Sequence, residues 1–218
     1  MPLTFHIKEG PTDKEFQRFM EVFKDMDANV SKPTYDKLGK SIWIVKPGEN
    51  TNRGCGIQVC RELSQIKEIV SNTNVNGQKR SYIIQKYIEK PLLYKNRKFD
   101  IRCYTLMTTV NGNLQGYWYN EGYLRTSSKD FNLKNVTNRL IHLTNDAVQK
   151  KSDDYGKFES GNKLSYPEFQ KYLDSIDVKC NIIKEIVPQL KKMAQDTIKA
   201  CSRKVDPHRR HNTFEVRP

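Results

Sequence analysis

Apolar and polar positions alternate most regularly in the middle of the chain, over residues 81–102. An apolar run at 82–84 predicts one strand, and a polar loop leads from it to a second strand at 97–102. In the second strand, charged and apolar residues alternate with a period of two, so the charges share one face. That face carries Lys98, Asp100 and Arg102. Burying three charges is costly without a charged ligand, so the face is either solvated at a sheet edge or lines a binding site.

Helices are predicted where apolar residues recur every three to four positions. Two cover residues 14–26 and 63–70, a third ends at residue 173, and their expected N-caps are Asp13, Ser64 and Ser165. Glu168 would complete a capping box with Ser165. A longer helix is expected over 177–202, where Pro188 predicts a kink. Further strands are predicted over 41–46, 57–60, 103–110, 114–119 and 123–126. The mixture predicts an α+β fold with mainly antiparallel sheets.

Two polar segments carry residues suited to phosphate. The strand 41–46 ends at Lys46, and the loop after it contains Arg53, Gly54 and Gly56. Glycine lets backbone N–H groups approach a phosphate closely, and Arg53 adds charge. The loop lacks the P-loop spacing and returns as a strand, so an ordinary hairpin loop fits it equally well. Thr144 and Asn145 directly follow an apolar run and suit either phosphate contacts or a helix cap.

The 218-residue chain has a formal net charge of +13 and a mean hydropathy of −0.78, with 36% hydrophobic residues. Such a charge favours an anionic partner, and no DNA- or RNA-binding motif accompanies it. No apolar run reaches the ~20 residues that a bilayer-spanning helix needs. The five cysteines are scattered, which predicts reduced thiols in an intracellular protein. Cys55 and Cys60 have no second pair at metal-ligand spacing, so no zinc site is predicted.

Seven short motifs follow one another between residues 5 and 214. They are Trp43-Ile44-Val45-Lys46-Pro47, the loop 52–57, the segment 84–93, the strand 97–102, Glu121-Gly122-Tyr123-Leu124-Arg125-Thr126, His142-Leu143-Thr144-Asn145 and Tyr155-Gly156-Lys157. In this order they resemble the tubulin tyrosine ligase-like family of amino-acid ligases. The resemblance implies an ATP-grasp-like α+β fold. It divides the chain into a polar lead-in at 1–40, a central domain at 41–110 and an incomplete C-terminal domain at 111–218, which ends in a basic tail.

The resemblance also implies roles for the matching positions. The residues expected to bind ATP are Lys46, Arg53, Gly54, Gly56, Gln85, Lys86, Tyr87, Ile88, Lys98, Asp100, Thr144 and Asn145. Lys46 would hold phosphates, and residues 85–88 would face the adenine largely through their backbone. Arg102 and Arg125 would be catalytic and hold the acyl phosphate or acidic substrate groups, since guanidinium suits both. A surface ion pair is the alternative for Arg125.

The implied reaction is ligation with ATP and Mg²⁺, in which a carboxylate is phosphorylated and an amine attacks the acyl phosphate. The implied acceptors are the acidic tails of tubulin, which suit a strongly basic chain. Glutamate is the first expectation for the added amino acid, and glycine and tyrosine are the alternatives. The implied location is the cytoplasm and cytoskeleton, including the cilium.

The family's Mg²⁺-binding carboxylate segments have no match before Pro218, and its N-terminal domain is mostly absent. No metal-binding residues are therefore predicted here, and the chain is expected to be truncated at both ends. The alternative function is an inactive ligase fragment that binds nucleotide or acidic tails.

Overall fold

The computed structural model describes residues 2–28, 41–49, 53–73, 77–205 and 213–217. The chain forms two compact units, each described by itself below. Unit 1 consists of Met1–Lys98 and Ser127–Tyr155, and unit 2 consists of Phe99–Thr126 and Gly156–Pro218. The loop predicted over 27–40, Asn52, and residues 206–212 of the predicted basic tail lie largely outside the described residues.

Ten strands and six α-helices make up the described part of the chain. The strands are β1 (Thr4–Ile7), β2 (Trp43–Pro47), β3 (Gln58–Cys60), β4 (Tyr82–Lys86), β5 (Arg97–Arg102), β6 (Thr105–Val110), β7 (Asn113–Trp118), β8 (Tyr123–Asp130), β9 (Lys163–Ser165) and β10 (Thr213–Arg217). The helices are α1 (Lys14–Asp27), α2 (Leu63–Ser71), α3 (Arg139–His142), α4 (Asp146–Gln149), α5 (Tyr166–Ser175) and α6 (Val187–Val205). The predicted α+β class is confirmed. None of these described helices is both long and apolar enough to cross a membrane.

Unit 1 is built on a four-stranded sheet in the order β1-β4-β2-β3, in which neighbouring strands run antiparallel. One face packs on α1, which begins as predicted after Asp13, whose carboxylate accepts a hydrogen bond from the Glu15 N–H. Phe19 of α1 meets Trp43 of β2 edge to face, with ring centroids 4.9 Å apart. Both side chains are fully buried, so this aromatic contact anchors the helix to the sheet.

The other face of this sheet, called the outer face here, carries the alternate residues of β2 and β4. Ile44 lies opposite Gln85 in the register, and Lys46 lies opposite Ile83. A second, smaller core covers part of the face. It contains Ile42, Ile44, Val59, Tyr87, Phe131, Leu133 and Val136. Because side chains alternate along a strand, Lys46 and Gln85 point to this outer face while Val45 and Ile84 fill the main core.

Unit 2 contains the antiparallel sheet β10-β6-β7, and β9 pairs with the start of β8 in another sheet of order β5-β8-β9. The predicted capping box is present at α5: the Ser165 side chain accepts from the Glu168 N–H, and the Glu168 carboxylate accepts from the Ser165 N–H. A π-helical turn, Ile182–Ile186, runs directly into α6.

Three predictions about element ends were wrong. Helix α2 begins at Leu63 as predicted, but Glu62 and not Ser64 holds its N-cap position, because Leu63 packs against the main core. The strand predicted through residues 103–110 is interrupted at 103–104, because β5 and β6 belong to different sheets. The last helix begins at residue 182, not at 177.

Pro188 explains the π-helical turn. It has no N–H, so a regular i to i−4 hydrogen bond to the carbonyl of Lys184 cannot form, and the preceding turn widens. At the position where a kink was predicted, the helix changes type directly before Pro188.

Candidate functional site

A partly buried lysine stands on the outer face of the unit 1 sheet. The Lys46 Nζ donates to Gln85 Oε1 at 2.8 Å, and Gln85 Nε2 donates to Thr4 Oγ1 at 2.9 Å. Burial lowers the pKa of Lys46. Among the described residues, no carboxylate pairs with this ammonium, whose hydrogen-bond partner is a neutral amide. An anionic ligand would therefore stabilise the charge.

A second lysine, Lys98, contacts Tyr87, which belongs to the smaller core on the outer face of this sheet. The Lys98 Nζ donates to the Tyr87 hydroxyl at 3.1 Å and to the His142 carbonyl at 2.9 Å. It also lies 4.7 Å from the centre of the Tyr87 ring, a cation–π contact. The Tyr87 hydroxyl is 2.9 Å from His142 Nδ1, and burial raises the pKa of Tyr87, so the phenol stays protonated. Lys98 is thus held by three fixed groups.

The glycine-bearing loop packs against the segment that carries Asn145. Gly54 has φ of +79°, and a Cβ there would lie 2.9 Å from Asn145 Oδ1. Arg139 Nη2 donates to the Gly54 carbonyl, which ties the loop to α3. Asn145 holds the N-cap position of α4, but its side chain makes no capping bond. The structure therefore brings together Gly54 and Asn145, two residues predicted from separate motifs.

The other predicted residues of unit 1 differ in their exposure and in their contacts. Thr144 is buried, while Arg53 and Gly56 are exposed on the loop, and a Cβ at Gly56 would lie 2.7 Å from Pro47 Cγ. Lys86 points into the core side, is 3% exposed and pairs with Glu89. Its backbone N–H donates to the Leu3 carbonyl.

The chain becomes exposed to solvent directly after β4. The Tyr87 N–H donates to the Ile42 carbonyl, and Ile88, the next residue, is 58% exposed. Of the four residues predicted to face an adenine, Ile88 is therefore the one whose side chain lies open.

The remaining predicted residues lie in unit 2. Arg125 of β8 donates hydrogen bonds from both Nε and Nη2 to the carboxylate of Asp100 of β5. The shortest contact, Nη2 to Oδ2, is 2.6 Å. The ion pair foreseen as an alternative for Arg125 is present, and its side chain is only 15% exposed. Arg102 is partly buried on the same strand as Asp100, and no described carboxylate pairs with it. Asp100 is thus held by Arg125, whereas the charge of Arg102 is not paired with a carboxylate among the described residues.

His142 is the site residue that sequence reasoning passed over. Lone histidines in apolar runs are usually packing residues, and His142 is indeed 1% exposed. Its bond to Tyr87 joins positions 55 residues apart, and no local pattern signals that contact. Arg139, which holds Gly54, was missed for the same reason.

The arrangement in unit 1 can bind an anion. It combines two lysines with a glycine loop whose backbone can approach a ligand closely, and it suits the phosphates of a nucleotide. In the part of the chain that the structure describes, no three Asp, Glu, His or Cys side chains come together as a metal site. No chemical step is therefore assigned to a metal here.

Comparison with known proteins gives a match along almost the whole chain. The sequence profile of the tubulin-tyrosine ligase family matches residues 3–216. Tubulin glycylase 3B of Tetrahymena thermophila is 33% identical over 81% of this chain and 14% of its own length. Tubulin glycylase 3A of Drosophila melanogaster is 38% identical over 84% of this chain and 18% of its own length.

A third relative carries a different activity in its name. The protein named "Probable alpha-tubulin polyglutamylase Ttll1" of Tetrahymena thermophila is 37% identical over 62% of this chain and 33% of its own length. Glycylase names recur among the most similar proteins. The chain spans between about one seventh and one third of the length of these three relatives.

Proposed function

Because the chain belongs to the tubulin-tyrosine ligase family, we propose that it contributes to a ligase that uses ATP to join an amino acid to tubulin. The observation that carries the proposal is the ammonium of Lys46, which is partly buried beside the neutral amide of Gln85. A cation in this setting gains most from a strongly charged anion such as a phosphate. The glycine loop at residues 53–56 offers backbone donors to the same kind of ligand.

The proposed nucleotide contacts follow from this reading. Lys46 and Lys98 bind phosphate oxygens, and Tyr87 and His142 hold Lys98 in position. The exposed segment at Ile88 faces the adenine, with Gln85 and Lys86 contributing through the strand that leads to it. Thr144 and Asn145 support the glycine loop beside the phosphates.

The proposed chemistry needs charge neutralisation more than acid–base groups. A carboxylate oxygen of the acceptor attacks the γ-phosphorus of ATP, and ADP leaves. The amine nitrogen of the amino acid then attacks the acyl carbon, an amide bond forms, and phosphate leaves. Arg102 is proposed to neutralise the acyl phosphate, and Arg125 to act with Asp100 beside it on the neighbouring strand.

Glycine is the proposed donor amino acid. The initial expectation of glutamate has weaker support, because glycylase names recur among the relatives while one relative described above is named a polyglutamylase. Glycine addition would use a glutamate side chain of a tubulin tail as the phosphorylated carboxylate. Glutamate addition remains the second candidate on the strength of the polyglutamylase relative.

Mass spectrometry of tubulin tail peptides tests the proposal. Tubulin is incubated with the chain, Mg-ATP and equal concentrations of glycine, glutamate and tyrosine, and we expect adducts of glycine. Adducts of glutamate alone would replace glycine with the second candidate. The Lys46→Ala variant should give no adduct and should lose ATP affinity by at least about tenfold, the usual effect of removing a charged phosphate contact.

The matched control is Lys67→Ala, which removes an exposed lysine from α2. It should bind ATP with normal affinity. Equal ATP binding by the wild-type chain and Lys46→Ala would overturn the assignment of the nucleotide site. ATP binding that depends on Lys46, without any adduct, would indicate a nucleotide-binding fragment that needs further chain for transfer.

A further inference from the structure

Unit 2 contains a basic groove, and none of the predicted site residues is among those that line it. It has a volume of about 850 Å³ and runs between α6 and the face of the sheet that carries β7. Gly116 of β7 lies under Ile198 of α6, and a Cβ at Gly116 would be 3.0 Å from Ile198 Cδ1. The helix therefore sits close to the strand at this point, and the groove follows the helix on either side of it.

The charges along the groove have a single sign. Four cationic side chains of α6 line it, and all of them are exposed: Lys191, Lys192, Lys199 and Arg203. Of the lining residues that the structure describes, none is an aspartate or a glutamate. Lys192 meets Asp196 at 3.0 Å, but both side chains are more than half exposed, so this pair neutralises little of the groove.

The spacing of these cations fits an extended chain. They form two groups, at 191–192 and at 199–203, so the groove's charged stretch is ~18 Å long at the rise of an α-helix. An extended peptide covers that distance with about six residues. Carboxylates four residues apart in such a peptide lie on one side and ~13 Å apart, which matches the ~12 Å between Lys191 and Lys199.

The strand beside the groove also offers backbone groups. In the sheet order β10-β6-β7, β7 is an edge strand, so alternate N–H and C=O groups point away from β6. Both kinds of group can pair with the backbone of another peptide, whereas a DNA backbone can accept from the N–H groups but has no donors for the C=O groups. The groove therefore favours a peptide over a nucleic acid, although both are anionic.

We propose that the groove between α6 and β7 docks an extended acidic peptide whose carboxylates are spaced four residues apart. The proposal deepens the proposed function, because it assigns a holding site to an acidic acceptor, and it rests on that function for its biological role. The docking itself needs neither nucleotide nor amino acid, so the two can fail separately.

Tryptophan emission provides the binding signal. The chain has two tryptophans, of which Trp43 is fully buried in the core of unit 1 and Trp118 lines the groove. A synthetic peptide with Glu-x-x-x-Glu spacing is titrated into the chain without ATP, beside the same peptide with Gln at both positions. We expect the acidic peptide to shift the emission and to bind at least about tenfold more tightly than the Gln peptide.

Two double variants with the same change in net charge separate docking from general attraction. Lys199→Glu with Arg203→Glu reverses charges inside the groove, and Lys67→Glu with Lys171→Glu reverses exposed charges on α2 and α5. The groove variant should weaken the acidic peptide at least about tenfold, and the control by no more than about twofold. Circular dichroism checks that both variants fold.

Several results would overturn the proposal. They are no binding of the acidic peptide, equal binding of the Gln peptide, equal weakening by both double variants, or equally effective competition by single-stranded DNA. The last result would assign the groove to polyanions in general. If instead the peptide docks as expected while no tubulin adduct forms in the ligation assay, the docking site stands and the proposed ligation fails.

Discussion

The hydrogen bonds around His142 have one consistent direction. Its Nε2 lies 2.9 Å from the Asn135 carbonyl, which can only accept, so Nε2 carries the proton. Nδ1 then accepts from the Tyr87 hydroxyl, and the Tyr87 oxygen accepts from Lys98 Nζ. A neutral His142 therefore sets the position of Lys98 through Tyr87. Protonation of Nδ1 would turn its acceptor into a donor and break the chain of bonds.

Stability should consequently depend on His142 below neutral pH. Burial, followed by the charge of Lys98, lowers the pKa of His142 below its ordinary value of 6.5. As pH falls below about 6.5, the unfolded chain takes up a proton at this position and the folded chain does not, so unfolding becomes easier. The expected loss in the free energy of unfolding is at most ~1.4 kcal/mol per pH unit, and it levels off below the folded pKa.

Urea unfolding between pH 7.5 and pH 5 measures this effect. His142→Gln removes the titrating group and should flatten the pH dependence, while its midpoint at pH 7.5 falls. His6→Gln, at an exposed histidine, is the matched control and should keep the wild-type slope. An unchanged slope in His142→Gln would show that His142 does not titrate as the hydrogen bonds require.

The loop after β2 depends on glycine for two separate reasons. Gly54 has a left-handed backbone that other residues adopt at a cost, and its missing side chain makes room for Asn145. Gly112, in the turn between β6 and β7, has nearly the same φ, +77°, but nothing lies within 4 Å of a Cβ built there. A side chain at either position would strain the backbone, but only a side chain at Gly54 would also collide with a neighbouring residue.

Alanine at these two glycines separates strain from packing. Both Gly54→Ala and Gly112→Ala should lower the free energy of unfolding by ~1–2 kcal/mol, the cost of a left-handed alanine. Gly54→Ala should in addition weaken ATP binding, because the loop must move away from Asn145. Isothermal titration calorimetry measures the ATP affinity of both variants. Equal affinities would show that the loop is not part of the nucleotide site.

Elements whose signals are local could be predicted from the sequence. The strand Arg97–Arg102 follows from its alternation and the capping box at Ser165 from four adjacent residues, and both are confirmed. The last helix does not begin at 177 because Asp177 has a left-handed φ of +52° and Asn181 caps the helix, accepting a hydrogen bond from the Lys184 N–H. Ser64 is not the N-cap of α2, because packing of Leu63 outweighed the capping preference of Ser64.

Contacts between distant parts of the chain lay beyond sequence reasoning. The bond between Gln85 and Thr4 joins positions 81 residues apart, and it depends on β1 pairing with β4. Through the family resemblance, the motifs predict which residues belong to a site, but they could not predict that Arg125 already holds Asp100. Pairing of distant strands is set by the whole hydrophobic core, so it has no signature in any short segment.

The net charge of the whole chain should act on encounter with tubulin, whereas the groove in unit 2 should act on the lifetime of the complex. A charge of +13 attracts an acidic partner over distances of about a Debye length, ~8–10 Å at physiological salt. Raising the salt concentration should therefore lower the association rate constant for tubulin at least about tenfold and change the dissociation rate constant much less.

Surface plasmon resonance over a series of salt concentrations measures both rate constants, and tubulin whose acidic tails have been removed by limited proteolysis is the matched partner. The salt dependence of association should shrink for this tubulin, because its tails carry the charge that steers encounter. The double variant Lys199→Glu with Arg203→Glu should raise the dissociation rate from intact tubulin beyond its equally charged control, since its lost contacts are short-ranged. Dissociation rates that match between these two variants would mean that only the overall charge of the molecule, and no particular surface of unit 2, holds the tail.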